Sequence, residues 1–61
     1  SVKIGDLVRN ISSGQLSVVT GVGETELTTW LTLYDGSNGQ TVYHAEYFVV
    51  VSPTKEREDA N

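Results

Sequence analysis

The sequence contains no cysteine, one proline and one histidine among its 61 residues. Without cysteine, no disulfide narrows the unfolded ensemble and no thiolate cluster can hold a structural zinc. That absence fits a reducing compartment. With His44 as the sole imidazole, a metal site would fall to carboxylates. Long apolar runs are missing too. The longest, Tyr47 to Val51, falls far below the ~20 residues a membrane helix needs. No basic region followed by an apolar run opens the chain, so the expected location is cytoplasmic. Basic residues are scarce: four Lys and Arg stand against eight Asp and Glu, giving a net charge of -4. This balance argues against a basic DNA-packaging peptide. At 6.6 kDa the chain has room for one small domain, not for a multidomain enzyme or a deep cofactor fold. Asn10-Ile11-Ser12 matches the glycosylation acceptor pattern, read here as chance because nothing signals secretion.

What the chain has in abundance is β-branched residues: nine Val, two Ile and seven Thr. Such side chains lose χ1 freedom in a helix and pack well on a pleated surface. No sustained 3.6-residue apolar period occurs, and glycine cuts the chain into short strands. A first strand is expected at Leu7 to Asn10, after a Gly5-Asp6 turn, and a polar loop at Ile11 to Gln15. The second strand, Leu16 to Val22, has apolar positions that break strict alternation, which predicts a bulge or bend between Val18 and Gly21. Leu27 to Tyr34 alternates cleanly. Leu27, Thr29, Leu31 and Leu33 share one face, placed inward, and Thr28, Trp30, Thr32 and Tyr34 share the other. Asp35-Gly36 and Asn38-Gly39 both suit a hairpin tip, before a strand at Gln40 to Ala45. A short turn at Ala45 to Tyr47, possible as one 3₁₀ turn, leads to a last strand, Phe48 to Val51, stopped by Pro53.

The expected fold is all-β: a small five-stranded antiparallel barrel over residues 1–52, with a polar, disordered tail over residues 53–61. Val8, Leu16, Val19, Leu31, Leu33, Val42, Phe48 and Val50 form the expected core. An open meander whose edge pairs with a second copy is the alternative.

Four stretches resemble parts of small SH3-like barrels, including the KOW type. Lys3-Ile4-Gly5-Asp6-Leu7-Val8-Arg9 is similar to their first strand, and Gly14 to Val22 to their second. Trp30 to Gly36 is similar to the central hairpin. Ala45 to Val51 resembles the closing turn and strand, with Phe48 where a leucine normally re-enters the core. The likeness spans roughly residues 4–52. Such barrels occur in ribosomal proteins, transcription factors, a small photosystem I subunit, and uncharacterised bacterial and phage proteins, so the resemblance implies an SH3-like fold and no single job. A phage-derived chain would be assembled into a virion. Where nucleic-acid-binding members carry Lys and Arg around the second strand, this chain has Ser17, Thr20, Glu24 and Glu26.

Candidate chemistry is sparse. His44, with Tyr43, Glu46 and Asp35 in reach by sequence, invites an acid–base reading, yet no serine or cysteine sits in a nucleophile setting. A cross-strand structural partner is the expected role. Glu24 and Glu26 match no calcium loop, and Gly21 and Gly23 no phosphate loop. The aromatic residues Trp30, Tyr34, Tyr43 and Tyr47 are the candidate protein-contact set, since rigid rings supply contact area at interfaces; the structural alternative is that Trp30 covers one open end of the barrel. A nucleic-acid-binding alternative would use Lys3 and Arg9, with Lys55 and Arg57 from the tail. The expectation is therefore a non-catalytic interaction module with a protein partner or a second copy. No cofactor, metal or small-molecule substrate is inferred.

Overall fold

The computed structural model describes residues 1–34, 36 and 40–54. Five antiparallel strands form one sheet: β1 (Leu7–Asn10), β2 (Leu16–Glu24), β3 (Thr29–Tyr34), β4 (Gln40–His44) and β5 (Phe48–Ser52). A 3₁₀ turn, Ala45–Tyr47, joins β4 to β5. The sheet order is β4-β3-β2-β1-β5, so the last strand returns beside the first. No ladder joins the two edge strands. They meet through side chains instead: the Tyr43 and Phe48 rings lie 5.5 Å apart, edge to face. Among the described residues, no helix is long and apolar enough to cross a membrane.

The predicted bulge lies at Thr20. Val19 pairs with Leu33 and Gly21 with Thr32, so Thr20 has no opposite residue. That extra residue resets the phase of β2. Val19 and Val22, three positions apart, thereby both face the leucine side of β3, Val22 opposite Leu31. The core is small: Val8, Val19, Leu31 and Leu33, with Val2, Ala45 and Phe48 packed against it.

Four of the expected inward or core positions are exposed instead. Leu16 pairs with Arg9 and is exposed, because alternation back from the inward Val19 turns Ser17 inward and Leu16 outward. Val42 pairs with Thr32 on the outer face, and Thr41 and Tyr43 take the inward positions. Val50 faces inward opposite Val8, but β5 is an edge strand and leaves it exposed. Leu27 is 93% exposed, since β3 begins only at Thr29. Residues 25–28 form a turn around the Thr25 hydroxyl, which accepts from the Leu27 and Thr28 N–H groups.

Asp6, expected as an ordinary turn residue, is buried at 1% exposure. Its carboxylate accepts the Lys3 N–H at 2.8 Å and the Thr54 N–H at 2.7 Å. Its backbone exchanges bonds with both neighbours of the turn: the Asp6 N–H donates to Lys3 O and the Val19 N–H to Asp6 O. The Thr54 hydroxyl adds a bond to Ile4 O at 3.3 Å. Thr54 is thus anchored to the barrel, two residues beyond the boundary expected at Ser52; residues 55–61 lie outside the described residues. Gly5 makes this clasp possible. Its φ of +98° suits glycine, and a Cβ there would run into Thr54 Oγ1. At the β3–β4 tip Gly36 has φ +87°, and the choice between the two tip dipeptides falls on residues outside the described set.

Candidate functional site

The register separates the four aromatic candidates into three places. Trp30 and Tyr34 both point to the outer face of β3, as alternation required, but they are four positions and about 13 Å of strand apart. Tyr34 stands opposite Val18, and Val18 in turn stands opposite Leu7 of β1. An apolar row therefore crosses three strands on the outer face. Leu16 and Val49 lie beside it, both opposite Arg9. Tyr34, Val18, Leu16 and Val49 are all exposed.

At the other end of β3, Trp30 is half-buried against its cross-strand partner His44, with ring centroids 4.0 Å apart and planes tilted by 32°. Tyr47, from the 3₁₀ turn, meets the same imidazole edge-on at 5.9 Å. The Thr28 hydroxyl lies 3.2 Å from His44 Nδ1. His44 is held on two sides by rings, and among the described residues no hydrogen bond joins it to Glu46; Asp35 lies outside that set. A Thr–His pair alone lacks the orienting carboxylate and oxyanion donors that acyl transfer needs. Among the described residues, no cluster of His, Asp and Glu is arranged to hold a metal ion.

Tyr43 occupies the third place. Opposite Leu31 it faces inward, into a cleft of about 210 Å³ lined by Asn10, Ser13, Gln15, Ser17, Leu33, Thr41, Tyr43 and Phe48. This is the unfilled end of the barrel interior, between the β1–β2 loop and the edge strand β4. Asn10, Ser17, Thr41 and Tyr43 occupy positions that the pleat turns toward the core, and each brings a hydroxyl or an amide. The loop wall is built by Asn10 itself. Its Oδ1 accepts the Ser12 and Ser13 N–H groups, both at 2.8 Å, while the Ser13 hydroxyl accepts the Gln15 N–H. Sequence reasoning passed over this cleft. The signal is the alternate polar residues Gln15 and Ser17 in one stretch and Thr41 and Tyr43 in the other, legible only once each register is known.

Charge is spread thinly. Lys3 lies in the N-terminal segment, bonded through its backbone to Asp6, and Arg9 stands on the outer face of β1 between Leu16 and Val49. Lys55 and Arg57 lie outside the described residues. Two backbone N–H bonds, from Thr54 and Lys3, hold the Asp6 carboxyl below its ordinary range; burial opposes them and the nearby Lys3 ammonium adds little. No family model, curated protein or solved structure matches this chain.

Proposed function

We propose that this chain is a non-catalytic module that docks on a protein partner in a larger assembly. The observation that carries the reading is the outer-face row Tyr34, Val18 and Leu7, flanked by Leu16 and Val49. Thirteen large hydrophobic side chains are exposed among the described residues, against four in the core. A domain this small gains from covering such a face, and contiguous apolar surface of this kind marks interaction sites. Tyr34 belongs to that row. Trp30 and Tyr47 form a second, smaller ring surface around His44, and Tyr43 belongs to the cleft. A kinship with small SH3-like barrels of bacterial or phage assemblies rests on the sequence resemblance, and the closing turn and return strand at residues 45–52 agree with it.

The test uses the full chain and its Val18→Glu variant, immobilised side by side against host extract, with the fold of each checked by circular dichroism. The expected result is a host protein retained by the native chain and lost by a folded Val18→Glu. Oligonucleotide titration followed by Trp30 fluorescence decides the competing reading. Micromolar binding at about 50 mM salt that vanishes by about 200 mM would replace the protein partner with a nucleic acid contacted by Lys3 and Arg9.

A further inference from the structure

The interior of this barrel is filled at one end and open at the other. Among the described residues, the lining of the open end is polar and uncharged, and the strand beside it has one side unpaired. β4 is the edge of the sheet, so every second residue along it turns its N–H and C=O away from β3. Edge strands are commonly protected by charge, proline or a bulge. Gln40-Thr41-Val42-Tyr43-His44 has no Lys, Arg, Asp, Glu or proline, and its pairing with β3 is regular throughout. Beside that edge lies the cleft, into which Thr41 and Tyr43 of the same strand project.

We propose that β4 accepts an extended peptide segment of a partner protein as a sixth strand, with one uncharged amide side chain of that segment, Asn or Gln, seated in the cleft. The proposal rests on the docking-module reading and gives it a second contact site, separate from the outer face. Main-chain bonds to an open edge supply affinity, and a pocket beside the edge selects alternate side chains. The lining decides which side chain. Among the described residues no Lys, Arg, Asp or Glu lines the cleft, so a charged group entering it would lose water without gaining a counter-charge from them. An aliphatic group would cover the Asn10, Gln15, Ser17 and Thr41 polar atoms without bonding them. An amide both donates and accepts, and its stem can lie on Leu33 and Phe48. A second copy of this chain is disfavoured as the occupant, because each copy brings a net charge of -4.

The experiment titrates the full isotope-labelled chain with capped peptides of alternating Val and Thr, whose central residue is Asn, Gln, Ala, Asp or Lys. The Asn and Gln peptides are expected to shift the backbone amides of Gln40 to His44 together with the side-chain amides of Asn10 and Gln15. Asp and Lys at the centre should weaken binding by about tenfold or more, and N-methylation of alternate peptide bonds should remove it. Ser17→Leu, which fills the cleft, should reduce the Asn peptide to the affinity of the Ala peptide while leaving Val18-dependent partner capture intact. If Ser17→Leu does not fold, Thr41→Ile serves in its place. The proposal is overturned if no peptide shifts β4, if shifts fall on Val18 and Tyr34 instead, or if neither the central residue nor N-methylation changes the affinity. Loss of partner capture by Val18→Glu with peptide binding unchanged separates the two sites.

Discussion

The two ends of β1 are closed by the same kind of side chain with different consequences. Asp6 precedes the strand and Asn10 ends it, and each side chain accepts two backbone N–H groups, Asp6 through its two carboxylate oxygens and Asn10 through its single Oδ1. Asn10 binds residues two and three positions ahead, so it shapes a loop that was already short. Asp6 binds Lys3 on one side and Thr54, 48 residues away, on the other. A contact that closes a long loop is formed against a much larger chain entropy. Once formed, it ties the segment after β5 to the start of β1. The Asp6 end is buried and fully bonded; the Asn10 end is exposed and opens on the cleft. Rigid closure at one end lets the other hold polar groups at core-facing positions without loss of the fold.

The sharpest way to break this contrast is Gly5→Ala. The substitution combines a φ of +98° with a Cβ driven into Thr54 Oγ1, so it attacks the clasp while removing nothing from the core. A loss of about 1–3 kcal/mol is expected, read as a lower urea midpoint with an unchanged slope. Gly14→Ala is the matched control at the other end: its φ is +80°, but a Cβ there meets nothing within 4 Å. The control should suffer from the dihedral alone and lose less. Equal losses would mean that the Thr54 contact adds nothing to closure.

The second effect appears only in acid. Hydrogen bonds from Thr54 and Lys3 lower the folded-state pKa of Asp6 below its unfolded value. A depressed carboxyl pKa contributes stability that is present above the unfolded pKa, about 4, and is lost as pH falls through the folded one. Native chain should therefore lose stability on acidification faster than Asp6→Asn, which cannot ionise. Subtracting the two profiles isolates Asp6 from the other carboxyls. Parallel profiles would show that the carboxylate form has no advantage over an amide.

Local chemistry and long-range pairing leave different traces in the sequence. The strand order of events along the chain, the bulge after Val19, the inward Leu31 and Leu33 and the 3₁₀ turn were all legible, because each follows from local chemistry: alternation, a glycine, a proline stop. Leu16 and Val42 were misplaced for a different reason. A one-residue change of register exchanges the two faces of a strand, and the β3–β4 tip does not announce its length. Val50 failed on topology, since facing inward on an edge strand is not the same as being covered. The Asp6 clasp was invisible because its partner lies 48 residues away. Of the candidate contacts, the opposite-facing rings of β3 were legible. Their separation into a Tyr34 row and a Trp30 cluster needed the pairings of Val18 and His44.

Asn10→Ala should have the smallest effect. Its two hydrogen bonds, to Ser12 and Ser13, are exposed, so water can replace the lost acceptor at both N–H groups. Each such bond contributes about 0.5–1.5 kcal/mol at most, and less where the freed donor is wet. The loop also keeps backbone bonds that do not involve the side chain: Gly14 N–H to Asn10 O at 2.8 Å, and Asn10 N–H to Gln15 O at 2.9 Å. Global stability should therefore barely change, while hydrogen exchange at the Ser12 and Ser13 amides accelerates and the rest of β1 keeps its protection. The cleft would lose one of its amides, so the Asn-centred peptide should bind more weakly to a fold that is otherwise intact. If Asn10→Ala instead lowers the unfolding midpoint as far as Gly5→Ala does, the β1–β2 loop belongs to the same cooperative unit as the Asp6 clasp. The two ends of β1 would then differ in exposure but not in what they hold together.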